Sequence, residues 1–223
     1  MDLRIYADAE MMMMKIANII AGELEAALFN DGRVTLAVPG GTTPGPIFDS
    51  LSGVSLDWDR INIVLTDERW VPETSDRSNT RLLRQRLLTE KAAAATLIPL
   101  YADAPNPEDC LEELAANITP LLPINICLLG MGTDMHTASL FPGADQLDAA
   151  LTGGAILYAM RAPGAPEPRI TLSAKVLQGA IQRHIVITGA EKRAALEKAE
   201  TLTPAEAPVA AILAGTTVHW AES

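Results

Sequence analysis

A chain of 223 residues, 48% of them hydrophobic, can bury a sizeable core, which excludes a disordered polymer. Its formal net charge of −11 argues against nucleic acid or an anionic membrane as the main partner, and any anion site must be built locally from a few Arg, Lys and backbone N–H groups. The N-terminal MDLRIYADAE lacks the basic-then-apolar order of a signal peptide, and no apolar run approaches the ~20 residues of a membrane span, so a cytoplasmic location is expected.

Residues 3–6 alternate and read as an edge strand. Over 9–29, Ile16, Ile19, Ile20, Leu24 and Leu28 recur at helical spacing, with Asn30-Asp31-Gly32 as the stop. Adjacent helical positions point around the axis, so only some of Met11, Met12, Met13 and Met14 can be buried. Val34–Val38 is a compact apolar strand, followed by Pro39-Gly40-Gly41-Thr42-Thr43-Pro44 and a helix over 46–51. Ile61–Leu65 is another, ending in the loop Thr66-Asp67-Glu68-Arg69-Trp70-Val71-Pro72. A helix over 78–91 carries Leu82, Leu83, Leu87 and Leu88 on one face; a strand over 98–100 and a helix over 107–118 follow. The strand over 124–129 runs into Gly130, Met131 and Gly132, a polar turn, His136, and a short helix from Thr137 to the stop at Pro142-Gly143. Strands over 155–160 and 170–172 surround a Pro- and Gly-rich loop; then come a helix over 174–180, a strand over 184–188, a helix at Ala190–Ala199 and a last strand over 216–220.

Short apolar strands alternating with helices imply an α/β fold, a mostly parallel Rossmann-like sheet with helices on both faces, as a single domain over 1–223. Cys110 and Cys127 fall in an apparent helix and a buried strand and read as core thiols, with no metal site or disulfide framework. Ligands of such sheets bind at the carboxyl ends of the strands, where the loops 39–44, 67–72 and 130–136 meet.

In the first loop, Gly40 and Gly41 let a ligand approach the backbone, Thr42 and Thr43 offer hydroxyls, and the helix start favours an anion such as phosphate. The pattern is neither the dinucleotide fingerprint nor the nucleotide P-loop, and an ordinary tight turn is the plain alternative. In the second, Arg69 suits bidentate binding of phosphate or carboxylate, and Asp67 suits sugar hydroxyls or the orientation of another side chain; a surface ion cluster is the alternative. In the third, His136 is the natural general base near neutral pH, its neutral form favoured at a helix N-terminus; the alternative is a mere helix cap. His184 and His219 fall in strands and read as structural. N–H groups at Gly130 and Gly132 are candidates for an oxyanion. Arg169 and Lys192, each beside a turn of the kind that faces the crevice, read as a second layer of cations; ordinary solvated charges are the plain alternative. No Gly-x-Ser-x-Gly elbow exists, and neither cysteine has a histidine nearby in sequence, so a covalent nucleophile is unsupported.

The segments GGTTP (40–44), TDERWVP (66–72), SNTRLL (78–83), LLGMGTDMHTASLFPG (128–143), PRITLS (168–173) and TGAEKRAAL (188–196) together resemble the 6-phosphogluconolactonases, which share a fold with glucosamine-6-phosphate deaminase. The resemblance implies hydrolysis of 6-phosphoglucono-1,5-lactone to 6-phosphogluconate, in the oxidative pentose phosphate pathway, without metal or cofactor. It makes His136 the base and Gly40, Gly41, Thr42, Thr43, Arg69, Arg169 and Lys192 the phosphate and sugar contacts, with Asp67 the acid of the DER triplet. The expected partner is a phosphorylated sugar lactone, with no nucleic acid or membrane, and the chain a monomer or homodimer. Two features depart from the family: Met135 stands where glycine usually precedes the histidine, and the tail after Val218 is short. One alternative is a deaminase or isomerase acting on glucosamine 6-phosphate, whose signature after the histidine is Ile-Ala-Phe-Asn-Glu-Pro rather than Thr-Ala-Ser-Leu-Phe-Pro. The other is a non-catalytic sugar-phosphate-binding protein.

Overall fold

In the computed structural model, which describes residues 1–223, the chain runs β1 (Asp2–Ile5), α1 (Ala9–Asn30), β2 (Val34–Val38), α2 (Gly45–Ser52), β3 (Ile61–Leu65), β4 (Asp67–Arg69), α3 (Asn79–Arg86), β5 (Thr96–Ile98) and α4 (Leu111–Ile118). It continues through β6 (Ile126–Gly130), α5 (Leu147–Thr152), β7 (Leu157–Met160), β8 (Arg169–Leu172), α6 (Ala174–Gln178), β9 (Gln182–Thr188), α7 (Ala190–Ala199), α8 (Ala210–Leu213) and β10 (Thr217–Ala221). Seven strands form one parallel sheet in the order β1-β10-β9-β6-β2-β3-β5. Every residue of β2 and β3 is buried, as continuous apolar runs are when both faces are covered. On α1 the stripe Met12, Met13, Ile16, Ile20, Leu24 and Leu28 faces the core, while Met11 and Met14 are exposed. No helix is long and apolar enough to cross a membrane.

The chain leaves β2 toward β3 and β5 on one side, and from β6 toward β9 and β10 on the other. The strand order therefore reverses between β2 and β6, and a crevice opens beyond their carboxyl ends.

Two expectations fail in ways that shape this crevice. Residues 67–69 are not loop but the strand β4, which heads a second, antiparallel sheet in the order β4-β8-β7. Asp and, less so, Glu are depleted in strands; pairing with β8 overrides this. The short helix expected at Thr137 is also absent. Thr137 and Leu140 close a tight turn (3.0 Å) with Ala138 at φ 48°, and the hydroxyls of Thr137 and Ser139 are engaged elsewhere, by the Gly130 carbonyl (2.9 Å) and Asp67 Oδ2 (2.6 Å). Side chains that bond away from their own segment compete with helix formation. Smaller shifts are the shortening of the 78–91 helix to α3, the placement of β5 at Thr96–Ile98, and the unforeseen α5 and α8.

Candidate active site

The loops after β2 and β6, the ends of β4 and β8 and the first turn of α7 enclose a cavity of about 220 Å³. Gly40, Gly41, Thr43, Asp67, Arg69, Gly130, Gly132, His136, Arg169 and Lys192 all line it. Thr42 does not: it is exposed, its carbonyl accepting from the Gly45 N–H (3.2 Å).

His136 sits on a closed piece of backbone. The Gly132 N–H donates to the His136 carbonyl and the Met135 N–H to the Gly132 carbonyl, both at 3.0 Å. Asp134 Oδ1 accepts from the His136 backbone N–H (3.2 Å) and lies 2.5 Å from its Nδ1. That contact holds the Asp134 carboxyl below the usual carboxylate range. Beside an ionised Asp134, the proton of a neutral His136 belongs on Nδ1, which leaves Nε2 as the basic nitrogen. A Cβ on Gly132 would fall 2.3 Å from His136 Nδ1 and 2.4 Å from Asp134 Oδ1, so this pair can exist only over a glycine. Phe141 packs against the imidazole with ring centroids 4.3 Å apart, and the Arg169 guanidinium lies 5.7 Å from the centre of the Phe141 ring. Met135 adopts φ 65°, the left-handed region natural to glycine.

Two sequence expectations are corrected by this geometry. With no helix at Thr137, no helix dipole acts on His136; Asp134 sets its orientation and tautomer instead. The Gly132 N–H, expected as an oxyanion donor, is already committed to the His136 carbonyl.

Arg69 and Arg169 are cross-strand partners in β4 and β8. Like charges set opposite each other cost stability, and an anion between them would remove that cost. The Nε atoms of both arginines are buried without a partner. Arg69 otherwise donates to the Arg77 carbonyl (2.6 Å), and the nearest carboxylates to Arg169, those of Asp67 and Glu167, stand at 3.9 Å. Burial pulls the Arg169 guanidinium below its usual range, with Arg69 adding repulsion. Burial likewise lowers Lys192, which occupies the first turn of α7, where the positive helix end disfavours a cation. Three cations short of counter-charge thus share one cavity in an acidic protein, as a local anion site requires.

Asp67 links the walls: its carboxylate receives the Ser139 hydroxyl and its carbonyl the Asn79 amide (3.0 Å). A Cβ on Gly40 would fall 2.0 Å from Asn79 Oδ1, so that glycine makes room for Asn79. Glu68 is fully buried and accepts the N–H groups of Arg69 (2.8 Å), Asn79 (2.8 Å) and Thr80 (2.7 Å), fastening α3 to β4. Its burial pushes the carboxyl up, and those three N–H groups oppose the shift. Sequence reasoning missed Asp134, Asn79, Glu68 and Phe141 in these roles. Only Asp134 carried a readable signal, an acid two residues before the histidine, where a side chain can accept the N–H two residues on.

The family model described as glucosamine-6-phosphate isomerases/6-phosphogluconolactonase matches residues 7–220. The chain belongs to this family. Within it, the 6-phosphogluconolactonase of Pseudomonas aeruginosa is 40% identical, over 98% of this chain and 94% of its own length. That of Rhizobium meliloti is 39% identical, over 95% and 93%. The crystal structure of a 6-phosphogluconolactonase from Shewanella baltica aligns with a TM-score of 0.96 at 32% identity, covering 99% of this chain and 97% of that one. The family's two named activities both concern phosphorylated sugars, in keeping with a cation-lined cavity.

Proposed function

We propose that the chain is a single-domain 6-phosphogluconolactonase that hydrolyses 6-phosphoglucono-1,5-lactone to 6-phosphogluconate. The observation that carries the reading is an Asp134-oriented histidine sharing a cavity with three under-compensated cations. Arg69, Arg169 and Lys192 hold the phosphate and sugar, and this remote binding fixes the lactone carbonyl against His136.

His136 Nε2 takes a proton from water as the water oxygen attacks the lactone carbonyl carbon. The tetrahedral intermediate places negative charge on the former carbonyl oxygen. With the Gly132 N–H committed, that charge falls to Arg169, whose Nε lacks a partner, or to the Gly130 N–H. Collapse breaks the bond to the ring oxygen, which receives the proton from the His136 imidazolium. These steps draw only on the chain's own side chains and water.

The test is lactone hydrolysis followed by coupled oxidation of the product, wild type beside His136→Ala. The expected loss is about 10²- to 10⁴-fold in kcat above the spontaneous background. Full activity in His136→Ala would overturn the assignment, and ammonia release from glucosamine 6-phosphate would overturn the substrate.

A further inference from the structure

β1 is the outermost strand of the parallel sheet, and its outer edge is bare. The N–H groups of Asp2 and Tyr6 donate to the carbonyls of Thr216 and Trp220 on the β10 side (both 2.9 Å). By the alternation of strand geometry, Leu3 and Ile5 therefore turn their N–H and C=O groups outward. Residues 1–14 also hold four of the six large hydrophobic side chains left exposed, Met1, Ile5, Met11 and Met14, with Ile5 at 65%. An open edge beside apolar surface is a template for another strand.

We infer that β1 pairs antiparallel with β1 of a second copy of this chain across a twofold axis. The stretch Met1-Asp2-Leu3-Arg4-Ile5 is complementary to itself when reversed. Pairing centred on Leu3 sets Leu3 against Leu3, Met1 against Ile5 and Asp2 against Arg4. The backbone admits this register, because the odd residues, whose polar groups face outward, become the hydrogen-bonded pairs. Asp2 and Arg4 then fall at the non-hydrogen-bonded positions, where opposed side chains come closest. The exposed Asp2–Arg4 contact that each copy makes within its own strand (3.1 Å) is exchanged for one between copies, two for two across the axis. The neighbouring registers with the same backbone pattern are disfavoured, since a slip in one direction opposes two Arg4 side chains and in the other two Asp2 side chains. The pairing is isologous and closes on itself, joining two seven-stranded sheets into one. β10 and β9 lie between β1 and β6, so both cavities stay open.

One short edge buries less than a permanent interface, so the dimer forms in a concentration-dependent equilibrium. Sedimentation equilibrium over a concentration series is expected to show the mass rising from 23.7 kDa toward twice that value. Arg4→Asp and Asp2→Arg are each expected to weaken association about 10-fold, and the double exchange Asp2→Arg/Arg4→Asp to restore it. Ile5→Lys, at a side chain open to solvent, is expected to weaken it without involving the ion pairs. Lactone hydrolysis at dilution checks that each variant is folded. A monomer at every concentration, or a dimer indifferent to all of these changes, would overturn the inference.

Discussion

Met135 is where this chain holds its histidine at a conformational cost. A non-glycine residue in the left-handed region costs about 1–2 kcal/mol, and here the backbone is fixed from both sides by the Gly132 loop and by the Val209 N–H on the Met135 carbonyl (3.0 Å). Met135→Gly is therefore expected to keep kcat within a few-fold. Met135→Val, adding a branched Cβ at the same φ, is expected to lower both thermal stability and kcat; equal behaviour of the two variants would contradict this. One residue earlier, Asp134→Asn is expected to cost kcat about 100-fold or more with little change in KM, because an amide no longer dictates the Nδ1–H tautomer. Steady-state kinetics separate that outcome from a loss of binding.

Among the elements, β4 has the densest role. Asp67 and Arg69 line the cavity, while Glu68 between them is buried and fastens α3. Glu68→Gln keeps one acceptor oxygen and sets an amide donor either against the Thr80 N–H or against those of Arg69 and Asn79, and a loss of about 2 kcal/mol in denaturant unfolding is expected. A stability within error of wild type would show that these bonds contribute little. The boundaries of β2, β3 and α7 were legible because continuous apolar runs and a glycine-led helix start are local signals. β4 and the turn after His136 were not, since what decides them is remote: Thr171 and Arg169 across the β4–β8 ladder, and Asp67 receiving the Ser139 hydroxyl. The residues gathered around the cavity were readable as three strand ends converging at a topological switch, though Thr42 stands outside it and Gly132 makes room for the Asp134–His136 pair while its N–H holds the His136 carbonyl.

Across the whole molecule, a buried relay ties the N-terminal segment to the sheet. The Tyr6 hydroxyl lies 2.7 Å from His219 Nδ1, His219 Nε2 lies 3.0 Å from His184 Nδ1, and His184 Nε2 lies 2.9 Å from Glu23 Oε2. With both imidazoles neutral, each N–H and the phenol O–H find an acceptor in a single direction. Burial, with repulsion from His184 and Arg4 outweighing attraction from Asp2, pushes His219 down to about 3. The unfolded chain takes up this proton near pH 6.5 and the folded chain only near 3. Stability from His219 is thus present above 6.5 and lost as the pH falls through that window, by up to about 1.4 kcal/mol per unit. Urea unfolding at pH 7.5 and 5 is expected to show this slope, and His219→Asn to flatten it; an unchanged slope would remove His219 as the cause.

The facing pair Arg69 and Arg169 carries a consequence for the protein's lifetime. Free of ligand, the chain bears their mutual repulsion across the β4–β8 ladder; under the proposed function, an anion held by both would remove it. Saturation by a ligand at about 100 times its Kd adds about 2.7 kcal/mol to the folded state. Withdrawing the ligand is therefore expected to raise the population of opened chains and, with it, the rate of proteolysis; equal cleavage with and without 6-phosphogluconate would contradict this.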